Sequence, residues 1–195
     1  MKKLNLLNQK IREHNKVIDK IKIQDENIKN IIKVIFKKLK YGGKILLCGN
    51  GGSAADAQHL AAEFLIRLRP NINRKPIPAI TLSTDTSTLT ACGNDYKFDD
   101  IFLRPFNALA KRNDLLLVIS TSGNSSNILK VLSSSKKRGI TSLGFLGNKG
   151  GKAKKLCDYK VIIDSSNTAT IQEAHIFIGH YIFENVEDLY LKKLK

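Results

Sequence analysis

Cysteine and long apolar runs are scarce in this sequence, and each shortage excludes a class of protein. Its three cysteines, Cys48, Cys92 and Cys157, lie far apart and never form a CxxC pair. We therefore expect buried or idle thiols in a reducing compartment rather than a disulfide framework or a zinc knuckle. The longest apolar stretches are strand-sized, and the N-terminus scatters charge where a targeting segment would place an apolar run. The sequence predicts a soluble cytoplasmic protein that does not enter the membrane.

Acidic residues are also few. The chain has 17 Asp and Glu against 33 Lys and Arg, a formal net charge of +16. A surplus of this size could indicate nucleic acid, a membrane surface or an anionic substrate as the partner. However, the lysines are dispersed over the predicted helices, and no basic cluster alternates with aromatic residues that could stack on bases. We interpret the charge as a compositional bias and predict no nucleic-acid partner.

The order of helical and strand patterns predicts one α/β domain covering residues 1–195. Two amphipathic helices lead the chain, and the second ends at Gly42 and Gly43. Five short apolar runs without alternation follow, which is typical of strands buried on both faces; they are KILLC (44–48), PAITL (78–82), LLLVIS (115–120), SLGFL (142–146) and YKVII (159–163). Helix-like segments lie between or after them, at about 54–68, 101–111, 127–138 and 168–191. The pattern predicts a doubly wound parallel sheet, in which ligands bind beyond the carboxyl ends of the strands.

A glycine-rich turn, CGNGGS at 48–53, follows the first predicted strand. Gly49, Gly51 and Ala54 match the dinucleotide-binding spacing G-x-G-x-x-A, with Asp85 as the acid that would bind a ribose. The match is weak, because Asp85 lies beyond the usual interval of about 20 residues. The glycines indicate only that backbone amides approach an anion or a tightly packed group.

A second loop, STSGNSSN at 120–127, carries four hydroxyl side chains just before a predicted helix. They are Ser120, Thr121, Ser122 and Ser125. A helix N-terminus favours an anion, so a phosphate monoester is the expected ligand. The loop lacks the lysine of a nucleoside triphosphate loop. A serine-rich capping turn with no ligand is the alternative.

His59 and Glu63 lie four residues apart and project from one face of the third predicted helix. An isolated pair of this kind is usually a surface ion pair. Apolar neighbours indicate instead a helix largely buried at the ligand end of the sheet. We expect Ser53 and Asp56 to form a capping box at the start of this helix.

The last helix carries IQEAHIFIGH at 171–180, in which Gln172 and His180 are two helical steps of four residues apart. With His59 and Glu63 they could hold zinc with one open position, although an amide is a weak ligand and the metal is therefore optional. His175 is a further candidate for this site, although we favour for it a histidine with satisfied hydrogen bonds at an interface.

Four motifs together resemble the phosphoheptose isomerases of the sugar isomerase (SIS) family over nearly the whole chain. They are CGNGGSAADAQHLAAE, LTACGNDYKFDDIF, ISTSGNSSN and IQEAHIFIGH, in this order. The resemblance implies a three-layer α/β/α sandwich of the flavodoxin-like SIS type, with a central five-stranded parallel sheet and a long C-terminal helix. It implies a homotetramer with active sites where subunits meet, and leading helices at 1–41 that serve in oligomerisation.

The implied reaction converts sedoheptulose 7-phosphate to D-glycero-D-manno-heptose 7-phosphate through a cis-enediol, the first step of nucleotide-activated heptose synthesis. Glu63 and His180 would be the acid/base pair, and His59, Glu63, Gln172 and His180 would bind one zinc ion per subunit. The resemblance implies these substrate-binding residues: Asn50, Gly51, Gly52, Ser53, Arg67, Asn94, Asp95, Ser120, Thr121, Ser122, Ser125 and Gln172.

The sequence departs from the family at Asn167, Ala169 and Thr170, where relatives commonly have an acid and an arginine. We expect one polar contact to the sugar, or across the subunit interface, to be missing or replaced. Pro105 lies within the predicted helix 101–111, where it predicts a kink or a late helix start.

Three other functions stay open at the level of the sequence. One is the function of a non-catalytic relative that binds the replication initiator. That relative lacks the carboxylate and the final histidine, which are present here as Glu63 and His180. Another is an isomerase of a different sugar phosphate, such as arabinose 5-phosphate or a hexulose phosphate. A dinucleotide-binding protein is the third.

Overall fold

Helices and strands alternate along the chain in the computed structural model, which describes residues 2–82 and 85–194. The helices are α1 (Lys2–Ile21), α2 (Asp25–Lys40), α3 (Gly52–Leu65), α4 (Thr86–Asp95), α5 (Leu103–Leu109), α6 (Ser126–Lys137) and α7 (Thr168–Leu194). The strands are β1 (Ile45–Gly49), β2 (Ala79–Thr81), β3 (Leu115–Ser120), β4 (Thr141–Gly147) and β5 (Tyr159–Ile163). Each of the five predicted apolar runs therefore forms a strand.

The strands form one parallel sheet in the order β2-β1-β3-β4-β5. This is the flavodoxin-like order, in which the winding direction reverses between β1 and β3. Every residue of β1 and β3 is buried, as their continuous apolar runs predict. The expected five-stranded parallel sheet is confirmed, and the place where sheets of this kind bind ligands lies beyond the carboxyl ends of β1 and β3.

Two apolar cores lie on opposite faces of the sheet. One contains Leu47 with side chains of α2, α3 and α7, and the other contains Leu46 with side chains of α4, α5 and α6. Neighbouring residues of β1 thus point to opposite layers, as successive residues of a strand must. The three-layer α/β/α sandwich is confirmed.

The helices at the two ends of the chain agree with their sequence patterns. Helix α2 is the second of the two predicted amphipathic helices, and its apolar face is buried throughout; this face consists of Ile28, Ile31, Ile32, Ile35 and Leu39. Gly42 follows with φ 79°, a conformation that suits glycine after a helix. The final helix α7 runs three residues further than expected, to Leu194.

Two helices on one side of the sheet differ from the sequence-based prediction. Helix α4 was not predicted. Helix α5 begins at Leu103 rather than at residue 101, so Pro105 lies in its first turn; a late start was one of the two effects expected of this proline. All three cysteines are buried and free, as expected, and burial raises the pKa of Cys157 to about 12. Within 2–82 and 85–194, no helix combines the length and apolar character that a membrane span needs.

Candidate active site

The chain passes from β1 to α3 through a short turn that depends on glycine. Gly51 has φ 55° and ψ −123°, a region that residues with a side chain rarely adopt, and it precedes α3 directly. The helix therefore begins at Gly52. The capping box predicted from Ser53 and Asp56 is wrong, because the glycine turn starts the helix early and places Ser53 inside its first turn. Ser53 is buried, while Asp56 keeps one carboxylate oxygen buried without a hydrogen-bond partner, and this burial raises its pKa to about 6.

The hydroxyl-rich loop after β3 is ordered by its own side chains. Ser120 Oγ accepts a hydrogen bond from the Gly123 amide at 3.0 Å, and Ser122 Oγ accepts one from the Asn124 amide at 3.1 Å. Ser125 occupies the N-cap position of α6, but its hydroxyl makes no capping bond. A serine-rich cap therefore does not account for the loop, and the Ser125 hydroxyl remains available at a helix N-terminus, where anions bind favourably.

The segment that follows β4, residues 148–153, contacts the hydroxyl loop. The carbonyl of Thr121 accepts a hydrogen bond from Asn148 Nδ2 at 2.9 Å, and the carbonyl of Gly123 accepts one from the Ala153 amide at 2.9 Å. Gly123 lies so close to Gly150 that a Cβ would overlap the Gly150 carbonyl. The backbone of the hydroxyl loop is therefore fixed before any ligand binds.

The glycine turn and the hydroxyl loop are neighbours in space. Gly49 and Ile119 pair across β1 and β3 at the carboxyl ends of the two strands. Beyond them, Asn50 and Asn127 exchange two side-chain hydrogen bonds, of 3.0 and 2.9 Å. Asn127 was not predicted as a site residue, although it ends the quoted motif ISTSGNSSN. The pair joins the two loops into one rim.

Helices α3 and α7 bring together the side chains that the sequence predicts for the chemistry. His59 Nε2 lies 2.8 Å from His180 Nε2 and 3.4 Å from Glu63 Oε1. The His59 side chain is 48% exposed and that of Glu63 is 18% exposed. The other carboxylate oxygen of Glu63 is buried and has no hydrogen-bond partner. A surface ion pair does not explain this group, because a third residue from a distant helix converges on it and one carboxylate oxygen is withdrawn from water.

This cluster has the composition of a metal site. One donor atom each from His59, Glu63 and His180 lies within 4.8 Å of the others. Imidazole nitrogens and a carboxylate are ligands that Zn²⁺ and similar cations accept. Gln172 packs its side-chain amide directly on Gly52 at the start of α3, seven residues before His59. His59, Glu63 and His180 thus form a group that could bind a metal.

The other predicted substrate residues lie further out on the surface. Arg67 is exposed in the turn after α3, and Asn94 and Asp95 are exposed at the end of α4, where Asn94 Nδ2 donates to Asp95 Oδ1 at 2.8 Å. Asp85, the acid of the dinucleotide interpretation, caps α4 by accepting a hydrogen bond from the Ser87 amide at 3.0 Å. That capping role explains Asp85 without a ribose.

His175 does not fulfil its expected role. The prediction of a satisfied histidine at an interface is wrong, because the side chain is 0% exposed inside this chain and neither ring nitrogen has a hydrogen-bond partner. Its ring centroid lies 6.2 Å from that of Phe145. Burial in these apolar surroundings lowers the pKa of His175 to about 4, and the nearby backbone of Leu146 offsets this only in part.

Comparison with known proteins agrees with this geometry. A family model described as SIS domain matches residues 11–147. The chain is 49% identical over 162 residues to phosphoheptose isomerase of Clostridium acetobutylicum, covering 83% of this chain and 82% of that protein. It is 44% identical over 186 residues to phosphoheptose isomerase of a Nitratiruptor species, covering 95% and 98%.

Solved structures of the same enzyme superpose on the chain over almost its full length. A phosphoheptose isomerase from Francisella tularensis does so with a TM-score of 0.91 at 32% identity, covering 96% of this chain and 100% of that one. The enzyme from Neisseria gonorrhoeae gives a TM-score of 0.88 at 35% identity, covering 95% and 98%. The resemblance in the four motifs is thereby confirmed, and the chain belongs to the phosphoheptose isomerase family of SIS-domain proteins.

Proposed function

We propose that this protein interconverts sedoheptulose 7-phosphate and D-glycero-D-manno-heptose 7-phosphate through a cis-enediol, as the first step of nucleotide-activated heptose synthesis. One observation carries the proposal: in a chain of this family, a partly buried carboxylate of α3 and two imidazoles, one from α3 and one from α7, converge on one another. Aldose–ketose interconversion needs such a base and an electrophile beside a site for the phosphate.

The hydroxyl loop holds the phosphate in this proposal. Thr121, Ser122 and Ser125 are half-buried, so their hydroxyls can donate to a phosphate while the loop keeps its own backbone hydrogen bonds. Ser120 and Ser53 are buried, and the proposal assigns both to the inner side of the same site. The N-terminus of α6 adds a favourable interaction with the negative charge. Fixing the phosphate sets where the far end of the sugar lies.

Glu63 and His180 act on the reacting carbons and oxygens. Glu63, whose side chain is 18% exposed, can take a proton from one carbon and return it to the next. His180 then serves the sugar oxygens or assists ring opening, and its 2.8 Å contact with His59 requires that at least one of the two rings be neutral. Contacts to the rest of the sugar are assigned to the glycine turn and outer residues, namely Asn50, Gly51, Gly52, Arg67, Asn94, Asp95 and Gln172.

Zinc is the metal that we propose for the cluster, one ion per subunit. His59, Glu63 and His180 fit it, because two facing imidazole nitrogens and a carboxylate with an unpartnered oxygen form a donor set that Zn²⁺ prefers. Gln172 would complete the set. When bound, zinc would supply a Lewis acid that stabilises the developing oxyanion.

The proposal includes a cytoplasmic homotetramer of single-domain chains, 1–195, with active sites at subunit interfaces. Exposed apolar side chains on α1 and α7 support an interface formed by the leading helices; they are Leu6, Leu7, Ile11, Phe177 and Tyr181. An apolar groove between α1, α2 and α7 continues this surface. Light scattering during gel filtration measures the assembly directly.

The deciding experiment is a proton NMR time course of the purified protein with sedoheptulose 7-phosphate. It is run as prepared, after chelation, and with zinc restored. We expect an aldoheptose signal that chelation reduces and zinc restores. If the folded protein shows no conversion under any of the three conditions, the isomerase assignment is overturned. If arabinose 5-phosphate is turned over faster than sedoheptulose 7-phosphate, arabinose 5-phosphate becomes the assigned substrate. Turnover indifferent to the chelator would remove the role of zinc.

A further inference from the structure

Helices α3 and α7 run side by side in the same direction, and their contact carries the reactive groups. Leu60 packs against Gly179, where a Cβ would meet the leucine side chain at 2.8 Å. One turn further along, the Phe64 and Phe183 rings stack with centroids 3.9 Å apart. His180, Phe183 and Glu187 follow one another on α7 at spacings of three and four residues, which places them on one face. The face that carries His180 therefore continues to Glu187.

The end of α3 is held by an arginine from the following loop. The last carbonyls of a helix have no partner within it. Here Arg74 Nη2 donates to the Glu63 carbonyl at 2.7 Å, and Arg74 Nη1 donates to the Phe64 carbonyl at 2.9 Å. The Arg74 side chain is 0% exposed. Its guanidinium thus fixes the backbone of Glu63 itself.

The same guanidinium is tied to α7. Arg74 Nε donates to Glu187, whose side chain is also 0% exposed. Glu187 accepts a second bond, of 2.7 Å, from Arg69 Nε, and Arg69 reaches on to Asp188 nearer the surface. A charged group of this kind is buried only when it is paired and hydrogen-bonded. Arg69 touches only the α7 side of this network, whereas Arg74 joins both helices.

We propose that Arg74 and Glu187 are a positioning pair, which sets the alignment of Glu63 on α3 with His180 on α7 and thereby determines turnover. The apolar contacts of Phe64 and Phe183 are not directional. Charge-assisted bonds from a planar guanidinium are directional, and they fix how far α3 can slide or rotate against α7. Neither residue reaches the reacting atoms; Arg74 acts through the end of α3, whose last carbonyls it binds, and Glu187 acts through α7, which carries it.

Kinetics of three variants test this proposal, which rests on the proposed isomerase function. Removing Arg74 alone would leave Glu187 buried without its closest partner, so the main variant is the double change Arg74→Met with Glu187→Leu. Uncharged residues of similar size commonly replace a buried ion pair without loss of stability. We expect a folded protein whose kcat falls by about 10-fold to 100-fold, since a shift of about 1 Å can cost that much. The KM should change by less than about threefold, because the phosphate loop is untouched.

Two single variants serve as matched controls. Arg69→Gln removes the outer bonds of the network but leaves both contacts of Arg74 to α3, so we expect kcat to stay within about twofold of the wild type. Arg74→Lys keeps the charge but not the planar fork, and its kcat should lie between those of the double variant and the wild type. These two variants decide the question even where the double variant does not fold.

The outcomes separate clearly. Native kcat in a folded double variant, a change confined to KM, or an equal loss of kcat in Arg69→Gln would each overturn the proposal. A wild-type protein inactive on sedoheptulose 7-phosphate would instead overturn the isomerase function. In that case a crystal structure of the double variant tests the alignment itself. The 2.8 Å separation of His59 Nε2 from His180 Nε2 should lengthen, and an unchanged separation would overturn the positioning role.

Discussion

The stability of the fold should depend on pH through His175. This residue is 0% exposed, neither ring nitrogen has a hydrogen-bond partner, and burial lowers its pKa from 6.5 to about 4. Between pH 4 and pH 6.5, His175 binds a proton in the unfolded chain but not in the folded chain. Stability therefore rises with pH in this window; it is complete above pH 6.5 and is lost as the pH falls toward 4. Over the whole window the loss amounts to about 3 kcal/mol per chain at about 1.4 kcal/mol for each pH unit.

Urea unfolding at pH 7.5 and pH 5.0, followed by circular dichroism at one protein concentration, measures the effect. We expect His175 to account for a loss of about 2 kcal/mol at the lower pH. Asp56 acts in the opposite direction, because its pKa is raised to about 6 and protonation on acidification favours the folded state. Its contribution is smaller, since the group is only half-buried and solvent screens it.

The comparison of wild type with His175→Leu isolates the histidine, since Asp56 is common to both. The leucine variant should lack the component of about 2 kcal/mol, whereas His14→Gln, a change at a more exposed histidine, should retain it. If His175→Leu and the wild type lose the same free energy of unfolding between the two pH values, the assignment of a neutral buried imidazole is refuted.

Three further substitutions follow from the site and the core. Glu63→Gln should lower turnover by about 10²-fold or more while the unfolding midpoint is kept, because it removes the base but not the shape; near-native turnover in the NMR assay would contradict this. Ser122→Ala should raise the KM more than it lowers kcat, as expected for a phosphate contact, and an unchanged KM would place the phosphate elsewhere. Phe183→Ala should reduce the free energy of unfolding by about 3–5 kcal/mol, because a fully buried ring stacked on Phe64 is removed. A loss below about 1 kcal/mol in urea unfolding would contradict this account of the packing.

The strands could be predicted because strands buried on both faces leave continuous apolar runs, as β1 and β3 show. Helix α4 could not, since Thr86–Asp95 contains three threonines and a glycine and has little apolar periodicity; only Asp85, its N-cap, signals a helix start. The capping box failed for a related reason. A Ser-x-x-Asp pattern can begin at the N-cap or one residue inside the helix. The conformation of Gly51 makes Gly51 the N-cap and places Ser53 inside the helix.

Among the residues of the candidate active site, some could be predicted from local sequence spacing, whereas others depend on tertiary packing. The spacing of His59 and Glu63 is a local property of one helix, and it predicts their common face. That His180 lies 2.8 Å from His59 depends on the packing of α7 against α3, which no local pattern specifies. The buried network of Arg74 and Glu187 was missed for this reason, because arginine and glutamate are usually surface residues and only tertiary structure shows them paired without water.

The departure from the family at Asn167 leads to a last prediction. Here Asn167 precedes α7, and its Oδ1 accepts a hydrogen bond from the Thr170 amide at 3.2 Å, which is the geometry of an N-cap. Thr170 is 6% exposed, so it packs in the core. Asn167→Ala should therefore cost about 1 kcal/mol, a fall in melting temperature of about 2–4 °C, while Asn167→Asp should keep the cap.

Differential scanning calorimetry of the two variants at one concentration checks this, and an alanine variant as stable as the wild type would contradict it. The cap matters beyond stability because Gln172, which packs on Gly52, lies in the first turns of the same helix. A frayed start of α7 would loosen Gln172 before it loosens His180, two turns further on. The alanine variant should consequently show a raised KM for the sugar, and an unchanged KM would contradict this link between the cap and Gln172.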